Sequence, residues 1–150
     1  MDSSAIYFYS KANTFFELSN FEFSPFEIDG VTYATVEHYF QSVKFLEDPD
    51  YADRVRKAET PASAKALGRS RKHKLREDWD EFRIEAMKTA LVAKFTQNKK
   101  LGDLLASTGD RMLVENAPRD YFWGCGAKKT GKNMLGTLLM HVRSEYFTIE

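Results

Sequence analysis

The chain has 150 residues, with 22 Lys and Arg balanced by 22 Asp and Glu, and its zero formal net charge excludes a nonspecific polyanion binder. Hydrophobic residues at 43% and charged residues at 29% suit a globular fold, and a chain of this length buries roughly 70% of its unfolded surface as one compact domain spanning 1–150. The single cysteine, Cys125, excludes an intramolecular disulfide and a cysteine-rich metal site. No apolar run approaches the ~20 residues of a membrane span, and the N-terminus lacks a signal-peptide pattern. The expected compartment is therefore the cytoplasm, with access to the nucleus in a eukaryotic cell, and no membrane partner.

In chain order, Ile6 to Tyr9 reads as a short strand. The aromatic-rich stretch Phe15 to Phe23 has neither strand nor helix period and reads as an irregular packed loop. Phe26-Glu27-Ile28 and Val31-Thr32-Tyr33 flank Asp29-Gly30, a pairing that predicts a two-residue hairpin near the N-terminus. Helices dominate from there. One runs from Thr35 to about Leu46 and a second from Tyr51 to Ala58; Thr60-Pro61 then starts a short third that Gly68 closes. Arg69 to Arg76 is basic and expected to be exposed. Asp78 is placed to cap a long helix from Trp79 to Thr96 that buries Trp79, Phe82, Met87, Leu91 and Phe95. Asn98 is placed to cap a further helix carrying Leu101, Leu104 and Leu105, and Met112 to Glu115 reads as a strand. A loop with three glycines follows from Ala117 to Lys132, and Asn133 caps the last helix, whose apolar face is Leu135, Leu138, Leu139 and Val142. The fold class is α+β and helix-dominated, with a few short strands.

The segment Glu37 to Phe45 carries the densest chemistry. Val36, Phe40 and Val43 form an apolar stripe, and Glu37, Gln41 and Lys44 form a second one about 100° around the same helix. A carboxylate, an amide and an amine thus line one edge of an apolar face, which is either a solvated flank or a pocket wall. Glu37 and Lys44, seven residues apart, are separated by ~10.5 Å along a helix, far enough to flank a substrate. High aromatic content, 14%, raises the prior for a pocket that takes flat rings.

Gly126 to Asn133 nearly spells a phosphate-binding loop, but Asn133 stands where magnesium requires a hydroxyl. Too little chain follows for an NTPase sheet. What remains is either a basic turn or a lysine-bearing glycine loop that offers free amides and a helix N-terminus to a phosphate. The run Arg69 to Arg76 is either a solvated face or a grip on a nucleic-acid backbone, with Trp79 and Phe82 as core residues or stacking platforms. Glu115 and Asp120, beside Trp123-Gly124, are turn acids or ligands for ribose hydroxyls. His38, His73 and His141 have no partners at ligand spacing, so no metal is expected. No Gly-x-Ser-x-Gly elbow occurs, and Cys125 has no local histidine.

Taken in order, these blocks resemble the YbiA-like, or NADAR (NAD- and ADP-ribose-associated), family. Its carriers are Leu18-Ser19-Asn20-Phe21, Asp29-Gly30, Glu37 to Phe45, Gly68-Arg69, Leu75-Arg76 and Asp78-Trp79. They continue through Met87, Lys94-Phe95, Thr108-Gly109, Leu113-Val114-Glu115, Asp120, Trp123-Gly124, Gly131-Lys132-Asn133, Leu135-Gly136 and Leu138-Leu139-Met140. The resemblance implies an N-glycosidase, needing no cofactor, that hydrolyses the bond between ribosyl C1 and an amine nitrogen. Its substrates would be reactive phosphorylated intermediates of early riboflavin synthesis, ADP-ribose attached to guanine, or both; ADP-ribosylated DNA or RNA is a further partner class. On that reading Glu37 protonates the leaving amine or activates water, Lys44 attacks C1 as a Schiff-base amine, and Asp120 stabilises the ribosyl centre. Asn20, Phe21, Gln41, Trp79, Glu115, Trp123, Gly124, Gly131, Lys132 and Asn133 would bind substrate. The alternative is a noncatalytic ADP-ribose or NAD binder.

Overall fold

The computed structural model describes residues 4–147. The chain falls into two compact units: residues up to Glu22 together with those from Phe95 onward, and Phe23 to Lys94.

The first unit is built on a parallel strand pair. β1 (Ile6–Phe8) runs beside β4 (Leu113–Glu115), with Tyr7 opposite Val114. Alternation along β1 buries Ile6 and Phe8 and exposes Tyr7, as period two requires. The irregular stretch holds one tight helical turn at Phe16–Leu18 that seats Leu18 in the interior. Helix α5 (Lys99–Ser107) follows Asn98, whose side chain makes no capping hydrogen bond. Helix α6 (Met134–Tyr146) buries Leu135, Leu138, Leu139 and Val142, the face read from its spacing, and packs on β4.

The second unit opens with the hairpin β2 (Phe26–Ile28) and β3 (Val31–Tyr33). Asp29 and Gly30 both take positive φ, 52° and 80°, as a two-residue turn of this hand demands. Helix α1 (Val36–Ser42) is capped by the Thr35 hydroxyl, which accepts from the His38 amide. The helix tightens into a narrower turn at Val43–Phe45 and so ends before Leu46. Helix α2 (Pro49–Arg56) begins two residues earlier than its apolar pattern suggests. Asp48 accepts from the Tyr51 amide and proline fills the first helical position. Helix α3 (Pro61–Leu67) repeats the device with Thr60 and Pro61. Phe45, Tyr51, Val55 and Ala64 form a core against which Ala52, Ala58 and Leu67 pack. Helix α4 (Trp79–Gln97) buries Trp79, Met87, Leu91 and Phe95, but Phe82 only half, the Arg76 guanidinium lying over its ring at 3.7 Å.

All seven residues of α1 are buried, so of the two readings of the polar stripe Glu37–Gln41 the solvated flank is excluded. Gly68 closes α3 as its position in the sequence suggests, with an ordinary right-handed φ of −66°. Within the basic run Arg76 is only half exposed and is paired with the Asp78 carboxylate at 2.6 Å.

A candidate active site on helix α1

Within the second unit, α1 is held in a fixed rotation by His38. Its Nδ1 lies 2.8 Å from the Thr35 hydroxyl and its Nε2 donates to the Ala58 carbonyl at 2.9 Å. The preceding residue, Glu37, and Gln41 one turn on are then both buried, 6% and 5% exposed. Gln41 Nε2 donates to Glu37 Oε2 at 2.6 Å. A carboxylate oxygen accepts, so this contact fixes which end of the Gln41 amide is nitrogen. The carbonyl end, Oε1, is buried with no hydrogen-bond partner. It sits where a Cβ on Gly68 would fall, 1.9 Å away. Gly68 is glycine because Gln41 occupies its side-chain space.

Lys44 stands on the tight turn that extends α1. Its Nζ is 3.5 Å from the Gly68 carbonyl oxygen and lies over two rings, 5.8 Å from the centre of Phe40 and 5.6 Å from that of Trp79. The two rings pack on each other at 5.0 Å. Burial pushes the Lys44 amine below the usual lysine value; the Glu37 charge opposes this, and Arg69, Arg71 and Lys65 reinforce it. Lys44 and Trp79 open on a cavity of about 420 Å³ whose other walls are Gly68, Ser70, Arg71, His73, Lys74 and Leu75. Trp79 is thus both a core residue and a pocket wall. In the sequence the run from Arg69 to Arg76 reads as a solvated face or a nucleic-acid grip, and not as the wall of a cavity beside Lys44.

The remaining candidates lie in the first unit, where Asn20 is buried and Phe21 half-buried. Asp120 Oδ1 accepts from the amides of both Phe122 and Trp123, at 3.0 and 2.8 Å, a side-chain turn that shapes the loop. Trp123 meets Phe122 edge-on at 4.8 Å. Gly124 and Gly131 are sites of close backbone approach. A Cβ on Gly131 would come within 2.6 Å of the Gly124 carbonyl, and one on Gly124 within 2.9 Å of the Glu115 carbonyl. Lys132 is exposed, its Nζ 5.8 Å from the Phe122 ring centre.

Where the glycine-rich loop enters α6, its amides are already used. Gly131, Lys132, Asn133, Met134 and Leu135 donate to the carbonyls of Cys125, Tyr121, Gly124, Phe122 and Trp123. Asn133 occupies the N-cap position of α6, its carbonyl accepting from the Thr137 amide, but its side chain makes no capping bond. Its backbone is left-handed, and its side chain spans β4, Oδ1 accepting from the Glu115 amide and Nδ2 donating to the Leu113 carbonyl, both at 2.9 Å. The asparagine finishes the open edge of a two-stranded sheet, which explains why it occupies the hydroxyl position of the phosphate-loop pattern.

Residues 7–146 match the NADAR domain model. The chain is 44% identical over 142 residues to an N-glycosidase of Nostoc punctiforme, covering 93% of this chain and 91% of that protein. It is 38% identical over 140 residues to a riboflavin biosynthesis protein of Vibrio vulnificus, covering 93% of this chain and 38% of that longer protein. The solution structure of the Escherichia coli protein YbiA superimposes with a TM-score of 0.88 at 41% identity, over 97% of this chain and 86% of that one. This chain belongs to the NADAR family.

Proposed function

We propose that the chain is an N-glycosidase that cleaves the C1–nitrogen bond of a phosphorylated ribosyl amine, with Lys44 as nucleophile and Glu37 as proton carrier. The observation that carries this reading is the Lys44 amine, half-buried over Phe40 and Trp79, facing a sugar-sized cavity from the same helical run as a buried carboxylate.

The steps follow from those groups. In the ring-opened form of the substrate, C1 is doubly bonded to the amine nitrogen. Neutral Lys44 adds to C1, and Glu37 gives the proton that lets the amine depart, leaving Lys44 joined to C1 as an imine. Water then adds to C1, Glu37 taking its proton, and the carbon–lysine bond breaks to release the free aldehyde, which closes to ribose. The net change is one water consumed and one amine released. Gln41 steadies the Glu37 carboxylate.

The match to a riboflavin biosynthesis protein favours the phosphorylated intermediates of that synthesis as substrate. ADP-ribosyl guanine is the second reading, and the exposed cations Arg69 and Arg71 suit its pyrophosphate. Incubating the enzyme with each substrate and sodium borohydride tests both. A reduced ribosyl adduct on Lys44, seen by mass spectrometry, supports the mechanism and names the substrate; turnover without any adduct overturns the Schiff-base step. Glu37→Gln should lower turnover roughly 10²–10⁴-fold while binding persists. Undiminished turnover would remove its role, and binding with no turnover even in the wild type would favour a noncatalytic ADP-ribose binder.

A further inference from the structure

Resting on the reading of Lys44 as the group that meets ribose C1, we propose that the turn from Gly68 to Leu75 is the wall that reads the substrate phosphate, with Arg71, Arg69 and the Ser70 hydroxyl as its ligands.

The argument is a charge inventory of one cavity. Of the cations in this segment, Lys74 is bound to Glu47 at 2.7 Å and Arg76 to Asp78 at 2.6 Å. His73 is held by Asp48 at 2.7 Å and stacked flat on Tyr51 at 3.6 Å, so it is a fixed wall. Arg69 and Arg71 have no carboxylate partner among the described residues. Arg71 lines the cavity, and the charges of both arginines are felt at Lys44, whose amine opens on the same space. Ser70 lies between them in sequence and lines the cavity too. Its oxygen accepts from the Lys72 amide at 3.1 Å, which leaves its hydroxyl proton to donate. The uncompensated Arg71 guanidinium and the Ser70 hydroxyl on the wall beside a half-buried amine, with the Arg69 charge close enough to be felt there, favour a dianionic group on a sugar. The obvious rival, the glycine-rich loop, has its amides from Gly131 to Asn133 occupied by backbone carbonyls.

Calorimetric titration with ribose 5-phosphate, and separately with ribose, tests this on the wild type, Arg71→Ala, the Arg69→Ala/Arg71→Ala double variant and Lys72→Ala. The substituted side chains are exposed, so the fold should survive, and a melting curve verifies it. Arg71→Ala should weaken ribose 5-phosphate about tenfold and the double variant further, with ribose unchanged and Lys72→Ala close to wild type. Wild-type affinity in the double variant, an equal loss in Lys72→Ala, or no binding of ribose 5-phosphate by the wild type would each overturn the proposal. If phosphate binding depends on Arg71 but borohydride traps nothing on Lys44, the wall stands and the catalytic reading fails.

Discussion

Two regions of this molecule advertise binding in almost the same language, and only one has groups to spare. Around α1, Gln41 Oε1 is a buried acceptor with no partner, Lys44 is an amine whose charge is disfavoured, and Arg71 has no carboxylate. In the loop before α6, most features that suggested a ligand have an internal job: Asp120 turns the chain, Asn133 completes β4, and the amides from Gly131 to Leu135 hold the loop on itself, while Lys132 stays exposed. A polar group already satisfied by the fold gains little from a ligand. One left unsatisfied in a buried place raises the energy of the empty site and falls with binding.

The largest break in this contrast comes from Lys44→Met, which should abolish turnover and yet raise the melting temperature near neutral pH. The sign follows from the direction of the shift. A lysine whose folded value is depressed costs stability at pH below that value, where both states are protonated, and the cost fades as pH rises toward the ordinary 10.5. The gain of the variant should therefore shrink in alkaline buffer; a gain flat with pH would mean packing alone is responsible.

Next in size is a pair of glycine substitutions. Gly131→Val drives a branched side chain into the Gly124 and Cys125 backbone, which cannot yield, and should cost about 3 kcal/mol of stability. Gly68→Ala meets only the end of the Gln41 side chain, which can swing away. Its stability loss should be smaller, about 1 kcal/mol, but the displaced amide breaks its contact with Glu37 and turnover should fall. Thermal melts beside activity assays separate them, and the contrast collapses if Gly68→Ala melts lower than Gly131→Val. Lys132→Ala should do least, shifting stability by no more than about 0.5 kcal/mol and leaving ribose 5-phosphate affinity near wild type. A tenfold loss there would return the phosphate to the glycine-rich loop.

The sequence was most readable where local rules act alone. Asp29-Gly30 named its own turn, Thr60-Pro61 its helix start, and the spacing of Leu135, Leu138, Leu139 and Val142 the face of α6. The Glu37–Gln41–Lys44 stripe was also visible, but periodicity could not say that the whole of α1 is enclosed, because burial depends on what α2, α3 and the hairpin cover. Gly68 and Asn133 were read as the end of α3 and the start of α6, where they stand, but not for their side-chain space and side-chain bonds. Both act through partners distant in sequence, Gln41 and β4, which no local pattern reveals. The wall from Gly68 to Leu75 stayed hidden for the same reason: cations in a row look alike until Glu47, Asp48 and Asp78 are seen to neutralise some and not others.

In the proposed cycle, the electrostatic tie between Glu37 and Lys44 would set the two strokes in order. A Glu37 that carries its proton would exert no pull on the lysine and leave the amine at its most nucleophilic. Once that proton had left with the departing amine, the new carboxylate would favour positive charge nearby, which is the form of the lysine imine that water would attack. When water gave its proton to Glu37, the pull would disappear and the lysine would be released for another sugar. On this proposal acid and nucleophile would reset each other, with no moving part beyond one proton.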